Sequence, residues 1–233
     1  MKARLTIQLF AKAPVAGTVK TRLIPALSAH DAATLHARMI GDAAAAVRRA
    51  RVQLDDFDAI TEMWCAPDAA HPALRDIASR HGLRLRVQCE GDLGDRMRDA
   101  LHSAMPGRAI LLGSDAPALD ADALVAAARA LDGADAVLIP AEDGGYVLIA
   151  CRDRVPDCFA RMRWSTPSVM DDTRQRLTAS AATWRELPAA WDVDTAADLD
   201  RLRADVRFSH LLNGLKTARP LRSVDTSTPD LII

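Results

Sequence analysis

Asp115 stands in the run Gly113-Ser114-Asp115-Ala116-Pro117, directly after the apolar stretch 109–112. A short apolar run that stops at Gly-Ser-Asp reads as a buried parallel strand that delivers a carboxylate at its carboxyl end. Ligands of open α/β sheets bind at that end, so the carboxylate is placed to hold a metal ion or to serve a phosphate site. Pro117 holds the turn and biases Ala116 toward extended backbone. Read structurally, the same residues are a polar strand-to-helix loop whose aspartate accepts backbone amides.

Four further segments carry chemistry of the same kind. The loop 12–23 follows an apolar run and contains Lys12, Gly17, Lys20 and Arg22. Glycine permits close backbone approach, and the cations suit phosphate: arginine as a fork, lysine as a point charge. A solvated basic loop is the plainer account. Gly91 and Gly94 stand three apart in a second glycine-containing turn, with Arg96 just beyond. Their free amides can face a ligand, or the segment is a tight turn with Asp92 or Asp95 capping a helix. Asp143-Gly144-Gly145-Tyr146 combines an acid with strong turn signals. Asp192 and Asp194 stand two apart in an extended stretch, which turns both to one side. Asp194 can complete a metal site with Asp115, or serve as a turn residue beside the helix cap Thr195.

The elements that must position these groups follow from periodicity and punctuation. Strands are expected over 5–10, 59–65, 83–88, 109–113, 136–140, 146–151 and 184–187. Ser28 opens a long alanine-rich helix with Asp31 three residues on, a variant capping box. Further helices are expected over 72–81 and 95–105, from the cap Asp120 to near Gly133, from Thr166 as cap with Pro167 at the first helical position, and over 196–204 behind Thr195. Strands alternating with helices over the first 140 residues predict a mostly parallel sheet covered on both faces. The turn around 143–145 breaks the rhythm and predicts an antiparallel strand, hence a mixed sheet. Residues 1–206 read as a single domain and 207–233 as a C-terminal extension, with 223–229 a polar tail or docking arm.

Composition narrows the function classes. The chain has 233 residues, 49% of them apolar, and a formal net charge of −1. That balance points away from nucleic acid. No stretch has the length of a membrane span or the form of a secretory leader, so the expectation is a cytoplasmic protein. The four cysteines form no Cys-x-x-Cys pair and read as free thiols. The six histidines are scattered without metal-ligand spacing and read as structural or surface residues. The first loop lacks the Gly-Lys-Ser/Thr ending of a P-loop and the Gly-x-Gly-x-x-Gly of a dinucleotide fold. Gly-x-Ser-x-Gly is also absent, which disfavours a serine hydrolase.

Taken in order, these motifs resemble a known family. They are Phe10-Ala11-Lys12 with Pro14, Gly17 and Lys20-Thr21-Arg22-Leu23; Gly91-Asp92-Leu93-Gly94 with Arg96-Met97; and Gly113-Ser114-Asp115 with Pro117 and Leu119. Asp143-Gly144-Gly145-Tyr146 with Leu148-Ile149, Trp164-Ser165-Thr166, and Asp192 with Asp194-Thr195 and Asp198-Leu199 complete the set. Over residues 4–206 the chain looks like bacterial glycosyltransferase-A-like nucleotide-diphospho-sugar transferases, some associated with radical-SAM, arsenosugar or selenium gene neighbourhoods. The last motif is similar to the end-of-domain motif of molybdopterin and phospholactate guanylyltransferases. The resemblance implies an α/β three-layer sandwich on a mostly parallel mixed sheet. It further implies that Lys20 and Arg22 bind the nucleotide and that Asp115, with Asp194, binds a divalent cation. One departure stands out: the Asp-x-Asp triplet of glycosyltransferases is here Ser114-Asp115-Ala116, with a single acid.

The expected activity is metal-dependent transfer of a sugar from a nucleotide-diphospho-sugar to a small-molecule acceptor, with Mg²⁺ or Mn²⁺ as cofactor. Asp115 and Asp143 are the catalytic candidates, Asp143 as the base. Lys12, Gly17, Lys20, Arg22, Gly91, Gly94 and Arg96 are the nucleotide and phosphate candidates, and Gly144, Gly145 and Tyr146 line the acceptor side. Nucleotidyl transfer with release of pyrophosphate is the alternative, and a non-catalytic nucleotide-binding module the third reading. Neither a nucleic acid nor a membrane is an expected partner; self-association is left open.

Overall fold

The computed structural model describes residues 2–216; the expected polar tail at 223–229 lies outside them. Seven strands form one sheet: β1 (Arg4–Lys12), β2 (Asp58–Ala66), β3 (Arg84–Val87), β4 (Arg108–Leu112), β5 (Ala136–Pro140), β6 (Tyr146–Arg152) and β7 (Trp184–Glu186). Their order is β3-β2-β1-β4-β6-β5-β7. All neighbours are parallel except β6, which runs antiparallel to both β4 and β5. The mixed sheet and its antiparallel strand are as the sequence predicts.

The helices are α1 (Ala29–Gln53), α2 (Pro72–His81), α3 (Leu93–Ser103), α4 (Ala121–Ala130), α5 (Val169–Ala179), α6 (Ala196–Ala204) and α7 (Ser209–Leu212). Strand alternation splits the core into two layers. Ile110 and Leu112 of β4 pack with α1, α2 and α4 on one face. Ala109 and Leu111 pack with Met97 and Leu101 of α3 and Met170 and Leu177 of α5 on the other. Strands buried on both faces carry near-continuous apolar runs, which is why β4 and β5 are legible as short unbroken stretches.

A third apolar cluster closes the carboxyl edge. Leu23, from the loop after β1, packs with Leu35 and Met39 of α1, with Trp191 and Val193, and with Leu199, Leu202, Phe208 and Leu211. Phe208 and Leu211 are buried, so the packed body runs through α7, past the expected boundary at residue 206. Among the described residues no helix is long and apolar enough to cross a membrane.

Most predicted caps are in place. Ser28 accepts the amide of Asp31 at 3.0 Å, Asp120 that of Ala123 at 3.0 Å, and Thr195 with Asp198 forms a capping box. Two helix starts differ from expectation. α3 begins at Leu93 rather than 95, because Asp92 and Asp95 form a reciprocal capping box. α5 begins at Val169 behind Ser168 rather than at Pro167. Thr166 turns its hydroxyl back to the Arg163 carbonyl at 2.9 Å instead of capping the helix. The carbonyl of Pro167 is meanwhile packed against Gly144.

Gly144 has φ +92°, and a Cβ there would run into the Pro167 backbone. Its carbonyl accepts the Met170 amide at 2.8 Å, locking the 143–145 turn onto the start of α5. Gly144→Ala combines left-handed strain with a backbone clash and is expected to destabilise the protein by about 2 kcal/mol or more. Urea denaturation measures this; an unchanged midpoint contradicts the account.

Candidate active site

The chain runs outward from β1 through β2 to β3, then returns to place β4 on the other side of β1. The strand order therefore reverses between β1 and β4, the position at which open α/β sheets bind ligands. A cleft of about 1050 Å³ opens at the carboxyl ends of these strands. Of the residues expected from sequence, Lys12, Arg96, Asp115, Asp143, Gly145, Tyr146 and Asp194 line it. Gly17, Lys20, Arg22, Gly91, Gly94 and Gly144 are not among its lining residues.

Lys20 lies behind the cleft wall rather than in it. Its side chain is only 4% exposed. The ammonium nitrogen has three oxygen neighbours: Asp115 Oδ1 at 2.8 Å, Asp194 Oδ1 at 2.9 Å and the Val193 carbonyl at 2.7 Å. Two local features aim it inward. Its backbone is left-handed, with φ 49°, and the next turn plants fully buried Leu23 in the third core cluster. The 192–194 segment is drawn to the same point because Val193 is buried in that cluster and donates its amide to the Asp115 carbonyl at 2.9 Å.

Asp115 therefore has two unlike oxygens. Oδ1 is shut off from solvent, yet 45% of the side chain is exposed, so the accessible edge faces the cleft. Burial opposes the Asp115 charge, but Lys20 and His36 outweigh it and hold the carboxyl well below the usual carboxylate range. Burial likewise works against the Lys20 ammonium, and Asp115 and Asp194 more than offset it, raising its pKa.

His36 was not singled out by sequence. It sits on α1, is buried, and reaches the Lys12 carbonyl through Nε2 at 3.1 Å, which assigns a proton to that nitrogen. Nδ1 lies 3.5 Å from Asp115 Oδ1. No local spacing could reveal this residue, since α1 and the end of β4 meet only in the folded protein. Trp164 is likewise a lining residue, set edge-on to Tyr146 with ring centres 6.4 Å apart. Gly94 gives this indole its seat: a Cβ there would strike Trp164 and the Phe159 carbonyl. Gly91, at φ +111°, shapes the turn whose carbonyl accepts Arg96 Nε at 3.1 Å. Arg22 is a surface cation, 70% exposed and 3.7 Å from Asp194 Oδ2.

On the acidic wall with Asp194, Asp143 Oδ1 accepts the Gly145 amide at 3.0 Å. The neighbouring Glu142 pairs with Arg201 of α6, which steadies the turn. Asp192 shares this wall. Burial, and then the charges of Asp143 and Asp194, push its carboxyl up to about 6.

Among the described residues no group of three or more His, Cys, Asp or Glu side chains is arranged to hold a metal. Asp115 and Asp194 do converge two carboxylate oxygens on one point, the Lys20 ammonium. Hard cations such as Mg²⁺ are commonly held by one or two carboxylates plus substrate phosphates, so this donor pair fits such an ion when a phosphate ligand supplies the rest.

Sheet order, antiparallel β6 and the position of the cleft define the fold of nucleotide-diphospho-sugar transferases. A protein of Desulfovibrio desulfuricans G20, provisionally described as such a transferase, shares 28% identity and a TM-score of 0.76, over 90% of this chain and 94% of that one. The chain belongs to the family described as "Uncharacterized protein conserved in bacteria (DUF2064)", whose pattern it matches over residues 49–166. More distant structures share the fold alone. They include the 4-diphosphocytidyl-2C-methyl-D-erythritol synthase of Anaerococcus prevotii DSM 20548, 10% identical with a TM-score of 0.55 over 87% of this chain and 97% of that one. Rv0371c of Mycobacterium tuberculosis H37Rv, solved as a manganese complex, is 20% identical with a TM-score of 0.52 over 88% of this chain and 100% of that one. No curated protein sequence matches the chain.

The raised Asp192 carboxyl has a consequence for stability. Its folded pKa of about 6 lies above the unfolded value of 3.8. The folded state thus binds the extra proton, and stability is lost as pH rises from the lower value through the upper one. Asp192→Asn is expected to be more stable than the parent protein at pH 7.5, by about 1 kcal/mol after allowance for solvent screening. The advantage should fade as pH falls toward 4, the unfolded-state range of an aspartate. Thermal melts of both proteins across pH test this; an advantage that grows on acidification would refute it.

Proposed function

We propose that the chain is a metal-dependent transferase that uses a nucleotide-diphospho-sugar as donor and a small molecule as acceptor. The observation that carries the reading is the convergence of Asp115 and Asp194 at the strand-order reversal, in one cleft with Lys12 and Arg96. The 28% identical relative, matched along nearly its whole length, supports the same donor class.

Asp115 and Asp194 would hold Mg²⁺ or Mn²⁺, which supplies charge neutralisation for a departing diphosphate. Lys12 stands at the end of β1 with its ammonium 2.9 Å from the Thr18 carbonyl, placed to meet phosphate oxygens from the cleft side. Lys20 and Arg22 serve the same end of the site from behind and from the rim. Arg96 and the turn shaped by Gly91 and Gly94 bound the ribose and base side. Tyr146, Gly144 and Gly145 border the acceptor. Asp143 is the base that takes a proton from an acceptor hydroxyl, with Asp192 beside it as a second carboxylate. A pKa near 6 suits Asp192 to hold and release that proton close to neutrality.

Nucleotidyl transfer would use the same cleft but release pyrophosphate from a nucleoside triphosphate. One assay separates the two: incubation with Mn²⁺ and a panel of sugar nucleotides or nucleoside triphosphates, scoring nucleoside diphosphate against pyrophosphate. Nucleoside diphosphate is expected from at least one sugar nucleotide, if only by slow transfer to water. Robust pyrophosphate release would replace the proposal. Asp115→Asn removes the charge a hard cation needs while keeping the side-chain shape. It is expected to abolish Mn²⁺-dependent nucleotide binding in calorimetry with the fold retained by circular dichroism; unchanged Mn²⁺-dependent affinity refutes the metal assignment.

A further inference from the structure

The two carboxylates best placed for a divalent cation are already neutralised from within. Lys20 Nζ sits 2.8 Å from Asp115 Oδ1 and 2.9 Å from Asp194 Oδ1, with the Val193 carbonyl at 2.7 Å. The ammonium donates hydrogen bonds to Asp194 Oδ1 and the Val193 carbonyl and stands in ion-pair contact with Asp115 Oδ1. The side chain is almost wholly buried, and the residue stands on left-handed backbone. It is held by its ion pairs and not by a relaxed loop. Resting on the metal assignment made above, we propose that Lys20 is the resident cation of this acid pair and competes directly with the divalent ion for the same two oxygens.

The physical reasoning is short. Two carboxylates brought to one point repel unless a positive charge lies between them, and in the protein alone Lys20 is that charge. A divalent ion bound to both inner oxygens would stand within contact range of the ammonium. Like charges at that range repel strongly where water is largely excluded, so entry of the ion requires the ammonium to leave. Lys20 follows directly on the loop after β1, which borders the cleft through Val15 and Thr18. The released ammonium therefore has an anion to turn to when the ion arrives with a phosphate. Lys20 acts here as a positioning residue: it keeps Asp115 and Asp194 paired before the ion binds and yields them when it does. This role separates it from Lys12, which lines the cleft and, among the described residues, pairs with no acid there.

Three roles for Lys20 predict three different effects on Mn²⁺ binding in the absence of nucleotide. If it competes, Lys20→Met tightens Mn²⁺, by an expected fivefold or more, because the acids lose their internal counter-ion. A purely structural brace would give weaker Mn²⁺ binding on substitution, and a permanent phosphate ligand would leave it unchanged. Calorimetry and the electron paramagnetic resonance of free Mn²⁺ both read this directly. Unchanged or weakened affinity overturns the proposal. Should Lys20→Met fail to fold, the wild-type protein carries its own readout. The chain has four lysines, at positions 2, 12, 20 and 216, and Lys20 is the deeply buried one with resolved ion pairs. Its side-chain ¹⁵N–¹H ammonium signal, assigned by its loss in Lys20→Arg, is expected to shift or exchange-broaden when Mg²⁺ is added to saturation. A signal that stays put under Mg²⁺ refutes displacement. Neither measurement needs turnover. Nucleoside diphosphate release with no tightening in Lys20→Met would leave the transferase reading intact and defeat only the exchange of cations.

Discussion

One buried ammonium joins the parts of this protein that matter for chemistry. Lys20 ties the loop after β1 to the end of β4 through Asp115 and to the 192–194 segment through Asp194 and the Val193 carbonyl. Removing one partner from such a set leaves an uncompensated charge. The arrangement holds because its neighbours are apolar and fixed. Leu23 and Val193 are fully buried in one cluster, so the two segments that carry Lys20 and Asp194 cannot drift apart without opening that core. Electrostatics and packing are here the same constraint seen from two sides.

The cleft inherits its shape from the sheet. β1 and β4 end side by side, and the strand order reverses between them, the position at which open α/β sheets bind ligands. One wall is ionic, built from Asp115, Asp192, Asp194 and Asp143. Another is apolar and aromatic, with Phe10, Met97, Tyr146 and Trp164. Two glycines outside the cleft lining set this shape. Gly94 makes room for the Trp164 ring, and Gly144 makes room for the Pro167 backbone. Both let neighbouring loops close against each other.

The acids of the ionic wall divide by environment. Asp115 meets Lys20 and His36 and stays charged far below neutrality. Asp192 has burial and two neighbouring acids against it and titrates near neutrality. Carboxylates with pKa values driven apart can take different parts in one reaction, one holding charge and the other moving a proton. That division supports a transferase reading in which Asp115 belongs to the phosphate end and Asp192 with Asp143 to the acceptor end.

Much of this was legible from sequence because it depends on near neighbours in the chain. Short apolar runs marked β4 and β5, the Asp143-Gly144-Gly145 turn marked the antiparallel partner, and Ser28, Asp120 and Thr195 marked helix starts. Each signal lies within a few residues of its effect. α5 starts later than the local cap motif at Thr166 and Pro167 predicts, because the packing of Pro167 against Gly144, a contact across the fold, overrides that motif. Residue types at the site were also legible: an acid at a strand end, cations after β1, acids near 192–194. Their partnerships were not. Lys20 and Asp194 are separated by 174 residues, and His36 reaches Asp115 from a helix with no spacing that points to it. Sequence alone determined which groups are available and at which strand ends they stand, since both follow from local pattern. Only the tertiary structure decided that Lys20 faces the acids instead of the cleft, because burial and charge pairing depend on which distant segments the core brings together.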